Sequence, residues 1–295
     1  MDRRHIDDKP VKALLLNLLS EIHVLFPFMK KPAFQERIVI LGMGSIGTRL
    51  LHHLSLQHPT CKLAAFGRHL TVAAESGLEG IARFHDIESL EAWKPTLAVE
   101  CAGHSAVIEL VPRLLQRGVN VILASLGALA GDAVRTRLTE ASRSGGGQLI
   151  LVSGAIGGLD ALRAASFAGI DKVVYTGSKP PIAWQGTPAE KAFQLSSLTQ
   201  ASLIFQGTAA QSAVAYPKNA NVTAAVALAG IGFEKTEVRL YADPGIEQNV
   251  HELDVHGSFG RFTIRLVNNP LPGNPKTSWL AALSIEAEIA RYLSR

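Results

Sequence analysis

Three glycines behind a strand-like run are the residues whose spacing most directly predicts chemistry. The chain reads Arg-Ile-Val-Ile-Leu-Gly-Met-Gly-Ser-Ile-Gly up to Gly47, and a helical apolar pattern follows at once. In this setting Gly42 permits a tight turn, Gly44 lets a pyrophosphate approach the backbone, and Gly47 allows the helix to pack closely on the strand. The phosphates then bind at the start of the helix, at Ser45 and Ile46. The pattern predicts a dinucleotide-binding site.

The loop after the second predicted strand bears on which dinucleotide binds. An acid usually stands at this point and binds the adenosine ribose. This chain instead has Phe66-Gly67-Arg68-His69. Arg68 is suited to pair with a 2′-phosphate, which favours NADP or the use of both NAD and NADP. The alternative is that Arg68 is a solvated surface residue.

Further candidates follow later strands, at the sheet edge where a doubly wound fold binds its ligands. Ala102 lies in one such loop, and Ala155 lies in the small-residue loop 153–158, which either faces a ligand or forms a close-packed hinge. Asn221 either contacts a nicotinamide amide or caps the alanine-rich helix after it. His251 is one of ten histidines, and by itself it is more typical of a packed strand residue than of a catalyst.

Short strands that alternate with helices would position these residues up to about residue 158. Such alternation predicts an α/β protein with a Rossmann-type, doubly wound parallel sheet. The predicted strands are 37–41, 61–66, 81–85, 96–102, 120–125 and 148–153. The predicted helices between them include 45–57, 104–117 and 130–144.

The pattern changes after residue 159, where longer amphipathic strands predict an α+β domain with an antiparallel sheet. Its predicted strands are 171–177, 236–242, 249–257 and 260–267. Its predicted helices are 188–204, 208–215 and 220–231, and a last helix covers 277–293. We therefore expect four segments: an N-terminal extension 1–36, a dinucleotide-binding domain 37–158, an α+β substrate and dimerisation domain 159–269, and a C-terminal helix 270–295 that completes the first domain.

Composition narrows the class of protein. With 295 residues and 47% hydrophobic content, the chain is long enough for two packed domains. Its net charge of +4 is spread along the chain, without a basic run interleaved with aromatic residues, so we expect no nucleic-acid partner. Its two cysteines and the absence of metal-ligand spacing predict a reducing, cytoplasmic setting and no metal. The apolar stretch near the N-terminus is too short and too polar to predict a membrane span.

Six stretches in the same order resemble the L-aspartate dehydrogenase family of NAD(P)-dependent enzymes, over about residues 37–293. The extension 1–36 lies outside the resemblance. The matching stretches are Gly42-Met43-Gly44-Ser45-Ile46-Gly47, Ser125-Leu126-Gly127-Ala128-Leu129-Ala130, Ser153-Gly154-Ala155-Ile156-Gly157-Gly158-Leu159-Asp160, Pro217-Lys218-Asn219-Ala220-Asn221-Val222, Asn249-Val250-His251-Glu252 and Asn274-Pro275-Lys276-Thr277-Ser278.

The resemblance implies a reaction and roles for particular residues. His251 matches the catalytic histidine, and Ala155 and Asn221 match positions that contact the nicotinamide. The implied reaction is reversible hydride transfer from L-aspartate to give iminosuccinate, which yields oxaloacetate and ammonia or enters pyridine nucleotide biosynthesis. Binding two carboxylates requires cationic or N–H groups, for which Lys218 and the N–H groups near Gly154 are candidates. Separately, the open face of the predicted antiparallel sheet favours a homodimer.

Two other functional classes remain open from the sequence. The same architecture occurs in homoserine dehydrogenase and dihydrodipicolinate reductase types of oxidoreductase, and fold alone does not separate them. A nucleotide-sensing protein without turnover would keep the glycine loop but would not need His251.

Overall fold

The structure is a computed structural model that describes residues 35–67 and 80–295. The predictions for Arg68 and for nearly all of the extension 1–36 fall outside this described part. Between them, the described residues form two β-sheets with flanking helices. None of the helices described in these ranges is long and apolar enough to cross a membrane.

The first sheet has six parallel strands in the spatial order β3-β2-β1-β4-β5-β6, which confirms the predicted doubly wound sheet. Its central strand is buried from Ile38 to Leu41, because helices cover both faces of a sheet of this kind. The strands are β1 (Arg37–Leu41), β2 (Lys62–Phe66), β3 (Ala82–Phe84), β4 (Leu97–Glu100), β5 (Asn120–Leu123) and β6 (Leu149–Leu151).

The helices of this half mostly follow the predicted pattern, with one correction. The stretch 104–117 forms two helices instead of one. Pro112 has no N–H to donate to a continuous helix, and the break falls at Leu110, which ends the first helix and begins the second. The helices are α1 (Ser45–Gln57), α2 (Ile87–Trp93), α3 (His104–Glu109), α4 (Val111–Gln116) and α5 (Asp132–Gly145), and a 3-10 turn covers Leu126–Ala130.

The second sheet has five strands in the order β11-β10-β7-β9-β8. It was predicted to be antiparallel, but β7 and β9 are parallel, so the sheet is mixed. The long connection between those two strands contains helices, and a connection of this length lets the chain return in the same direction. The strands are β7 (Ile170–Lys179), β8 (Ser202–Thr208), β9 (Glu237–Ala242), β10 (Asn249–Gly257) and β11 (Gly260–Asn268).

Strand β8 was not predicted, since residues 188–204 have an apolar spacing that resembles a helix. The helix there ends at Ala192, and β8 pairs with β9 as an edge strand, with a register shift between Leu203 and Phe205. The pairing partner lies some thirty residues away along the chain, so tertiary context overrides the local pattern. The helices of this half are α6 (Leu159–Ser166), α7 (Pro188–Ala192), α8 (Ala209–Ala215) and α9 (Ala220–Ala229).

The C-terminal stretch was predicted to be helical, but it begins with a short hairpin of β12 (Pro270–Leu271) and β13 (Asn274–Ser278). Helix α10 (Trp279–Leu293) follows it. Ile285 and Ile289 of this helix are buried in one apolar cluster with residues of β1 and α1. The helix therefore packs on the first sheet.

Candidate active site

The glycine loop between β1 and α1 has the geometry that a bound dinucleotide requires. Gly42 has a φ of +89°, and a Cβ there would lie 2.6 Å from the Cα of Ala102. A Cβ on Gly47 would lie 1.9 Å from the Gly42 carbonyl oxygen, so the start of α1 contacts the loop directly. At Gly44, by contrast, a Cβ would meet nothing within 4 Å. The loop thus has open space at the glycine assigned to the pyrophosphate and close packing at the other two.

Glu100 organises the neighbouring loops, and sequence reasoning missed it. Its carboxylate is buried at the end of β4 and accepts hydrogen bonds from the N–H groups of Ala102, Gly103 and Ser125, at 2.8–2.9 Å. The Ser125 hydroxyl also donates to it, at 3.0 Å. These bonds end the strand earlier than the predicted 96–102. Burial raises the pKa of Glu100 above its usual range, while the donors act in the opposite direction. A lone acid closing an apolar strand was the available signal.

A cavity of about 170 Å³ lies between the two sheets and brings together several of the candidates. Sequence reasoning had selected five of its lining residues for the site, namely Ile46, Gly154, Ala155, Asn221 and His251. It had not selected Tyr175, Lys179, Trp184 or Asn219 as site residues. The cavity therefore joins the predicted cofactor loops to side chains of the second sheet.

His251 is a buried titratable group in the wall of this cavity, and one of its two ring nitrogens has no hydrogen-bond partner among the described residues. Its side chain is 3% exposed, and its Nδ1 lies 2.8 Å from the hydroxyl oxygen of Tyr175. Its Nε2 is buried without a hydrogen-bond partner among the described residues. Burial, together with the positive charge of Lys179, lowers the pKa of His251 to about 3. The imidazole is therefore neutral at physiological pH, with Nε2 left for a ligand.

The register of β7 and β10 explains why Tyr175 and Lys179 flank the histidine. His251 lies directly opposite Gly177, and residues two positions to either side of Gly177 share its face of the sheet. A Cβ on Gly177 would lie 2.8 Å from the Tyr175 hydroxyl, so the glycine leaves room for that group. Burial raises the pKa of Tyr175, and the phenol stays protonated. Tyr175 can therefore hold the imidazole in one orientation.

Asn221 and Ala155 lie on the side of the cavity nearer the first sheet. The Oδ1 of Asn221 accepts a hydrogen bond from the Gly127 N–H at 3.0 Å. Helix α9 already begins at Ala220, and Asn221 therefore does not cap it. The Ala155 carbonyl accepts from Asn268 Nδ2 at 2.8 Å, which fixes the loop that carries it. Both predicted nicotinamide contacts are thus held in place by neighbouring elements.

The two predicted substrate ligands are placed differently. Gly154 lines the cavity, but its N–H already donates to Ser284 Oγ at 3.1 Å. The backbone of Lys218 lies in the 3-10 turn Pro217–Asn219, and its side chain is outside what the structure describes. A cation that does line the cavity is Lys179, whose Nζ donates to Asn219 Oδ1 at 2.6 Å.

The strand order, the open glycine loop at the end of β1 and the histidine cavity beside it together define the class of nicotinamide-nucleotide-dependent oxidoreductases. Comparison with known protein families supports this class for both the N-terminal and the C-terminal half of the chain. The family described as "Homoserine dehydrogenase, NAD binding domain" matches residues 42–151. The family described as "Aspartate dehydrogenase, C-terminal" matches residues 160–292.

Individual relatives identify the family more closely. The chain is 45% identical to an L-aspartate dehydrogenase of Polaromonas sp., over 84% of this chain and 94% of that protein. It is 42% identical to the one of Ralstonia nicotianae, with the same coverage. Its fold matches the aspartate dehydrogenase of Thermotoga maritima with a TM-score of 0.68, over 89% of this chain and 98% of that one, at 24% identity. The chain belongs to the L-aspartate dehydrogenase family.

Proposed function

We propose that this protein oxidises L-aspartate reversibly with NAD or NADP, giving iminosuccinate and then oxaloacetate and ammonia. The observation that carries the proposal is the cavity in which the unpaired Nε2 of His251 lies beside the loops assigned to the nicotinamide. Membership of the family supports L-aspartate as the substrate, because the relatives that the chain matches are named L-aspartate dehydrogenases. The homoserine dehydrogenase and dihydrodipicolinate reductase types become the less favoured alternatives.

The cofactor would lie across the edge of the first sheet. Its pyrophosphate would lie over Gly42, Gly44 and Gly47, against the N–H groups at the start of α1, which have no partner within the helix. Its nicotinamide end would lie near Ala155 and Asn221. When bound, the nicotinamide supplies the acceptance and return of hydride at the substrate C2.

His251 would act as the acid–base group. For Nε2 to accept a proton, Nδ1 must carry the other one and donate it to the Tyr175 oxygen, and the 2.8 Å contact is compatible with this tautomer. Nε2 then takes a proton from the substrate amine or from the water that attacks the imine carbon, and returns it to the departing ammonia. Tyr175 contacts only the imidazole in this scheme, so it is a positioning residue.

The direct test is to follow the absorbance of the reduced nicotinamide with the full chain and L-aspartate. We expect turnover with L-aspartate, and with oxaloacetate and ammonia in the reverse direction. L-homoserine is the matched control, because it shares the amino acid core but lacks the second carboxylate. Turnover of L-homoserine alone, or of neither compound with either cofactor, would contradict the proposal.

We further propose a domain arrangement and a setting for the enzyme. Residues 37–158 with 270–295 would bind the cofactor, and 159–269 would complete the substrate site and form a homodimer. The five-stranded sheet supports dimerisation, because one of its faces carries partly exposed polar side chains such as Glu252, Asp254 and Arg239. Sedimentation equilibrium tests the dimer.

We also propose that the enzyme acts in the cytoplasm, in pyridine nucleotide biosynthesis, because its product can supply that pathway. We expect no nucleic-acid or membrane partner.

A further inference from the structure

Lys179 is a cation whose surroundings in the protein satisfy it incompletely. Its ammonium donates one hydrogen bond, to Asn219, and lies over the ring of Trp184 at 5.6 Å from the centroid. An ammonium group has three donors. Among the residues that the structure describes, no carboxylate forms an ion pair with it. Asn219 and Trp184 hold the cation in position without neutralising it.

Such an arrangement is costly unless an anion completes it. A charge removed from water without a counter-charge loses solvation, and the same burial lowers the pKa of Lys179 to about 8. The group remains mainly protonated at neutral pH. An apolar residue at this position would avoid the cost, so the position of the lysine points to a negatively charged ligand.

The ligand would occupy the cavity that Lys179 shares with His251. That cavity has room for a small molecule, and the unpaired Nε2 of His251 lies in its wall. His251 lies opposite Gly177, and Lys179 lies two residues further along the same face of β7, so the two groups are near each other. A molecule with an anionic end at Lys179 could thus present its reacting carbon to His251 and to the loops of Ala155 and Asn221.

We propose that Lys179 binds one carboxylate of the substrate and makes the site selective for dicarboxylates. This assignment rests on the proposed function and names a different cation from Lys218. Pairing with the carboxylate also neutralises the charge that acts on His251. Substrate binding therefore makes the imidazole more basic at the moment when it must accept a proton.

The test measures binding of succinate to the full chain saturated with reduced cofactor, by calorimetry. Succinate has two carboxylates but no amine to oxidise, so binding is observed without turnover. We expect Lys179→Met to lower the affinity for succinate about 10- to 100-fold, as for loss of a charge-assisted hydrogen bond. Lys179→Arg should restore part of this affinity. Lys172→Met is the matched control, because Lys172 lies on the same strand but is exposed. It should leave succinate binding unchanged.

A second measurement follows the succinate affinity of the wild-type protein from pH 7 to pH 10. The affinity should fall as pH rises through about 8, because Lys179 loses its proton. The titratable groups that face it do not interfere, since the pKa of His251 is about 3 and that of Tyr175 is raised above its usual value. This measurement needs no variant and remains decisive if Lys179→Met does not fold.

The outcomes separate this inference from the proposed function. Unchanged succinate affinity in folded Lys179→Met, or a flat affinity from pH 7 to 10, overturns the role of Lys179 even if L-aspartate is turned over. Loss of affinity in Lys218→Met instead would assign the carboxylate to Lys218. Failure of L-aspartate turnover, with succinate binding that still depends on Lys179, would reject the aspartate reaction and leave the anion site standing.

Discussion

Glu100 in the first sheet is buried and Lys179 in the second is half-buried, and these two ionisable side chains are partnered in different ways. The carboxylate of Glu100 accepts three backbone N–H groups and a hydroxyl, all from its own loops. Within residues 35–67 and 80–295, Lys179 has one hydrogen bond, and its neighbour His251 has a buried nitrogen without any. A fully satisfied buried charge holds structure together, whereas an incompletely satisfied one is typical of a ligand site.

The difference matches the tasks assigned to the two regions. The dinucleotide loop needs a fixed shape before the cofactor arrives, because its N–H groups must already point to the phosphates. The substrate cavity needs polar atoms that the protein itself does not use. Substitution of Glu100 should therefore lower stability, whereas substitution of the cavity residues should lower turnover or substrate affinity, and the following predictions test this difference.

The largest effect is expected at His251. His251→Asn should lower turnover of L-aspartate about 100- to 10,000-fold, because asparagine cannot exchange a proton near neutral pH. Cofactor affinity, measured by fluorescence of the reduced nicotinamide, should stay within about twofold, since the glycine loop holds most of the cofactor. His256→Asn is the control on the same strand, where the histidine pairs with Asp254 instead. Wild-type turnover in folded His251→Asn would remove the catalytic assignment.

The next effect compares the two charged groups directly. Glu100→Gln puts an amide NH₂ against groups that must donate, and should lower the free energy of unfolding by about 1–3 kcal/mol. The substitution should also weaken binding of the cofactor, because the Ala102 and Ser125 loops lose their common hydrogen-bond acceptor. Lys179→Met should leave the free energy of unfolding unchanged or raise it, since it removes an incompletely paired charge. Urea denaturation of both variants checks the signs; equal losses would erase the distinction between the two regions.

A smaller effect should appear in the pH dependence of stability. The pKa of His251 is about 3 in the folded protein and about 6.5 in an unfolded chain, so the unfolded state binds more protons between these values. Stability contributed by the neutral imidazole is therefore present above pH 6.5 and declines as pH falls toward 3. At pH 5 the decline is up to about 2 kcal/mol relative to pH 7. His251→Asn should lack this part, and identical pH dependence in both proteins would contradict the burial of a neutral histidine.

The smallest effect concerns the choice of cofactor by Arg68, which lies outside the described residues. Arg68→Ala should lower the affinity for NADP about tenfold relative to the affinity for NAD, as for the loss of one charge-assisted contact to a 2′-phosphate. Dissociation constants of the two reduced cofactors measure this ratio. Equal losses for both would mean that Arg68 does not read the 2′-phosphate.

Local patterns in the sequence were sufficient for much of the first half. The glycine spacing and the apolar run before it predicted the turn, the helix Ser45–Gln57 and the parallel sheet, because each depends on neighbours within a few residues. The resemblance to the L-aspartate dehydrogenase family, and not a local pattern, marked His251 as a candidate base. The division of 104–117 was also readable in principle, since Pro112 breaks a helix wherever it stands.

Pairing over long distances decided the rest. Strand β8 exists because β9 is beside it, and Glu100 is satisfied because the β4 and β5 loops meet at one sheet edge. Tyr175 and Lys179 reach the site only because β7 pairs with β10 in a register that sets Gly177 opposite His251. A shift by one residue would turn both side chains to the other face of the sheet. The sequence by itself determined which residue types were available for the chemistry, and the register of two strands more than seventy residues apart determined which of them meet.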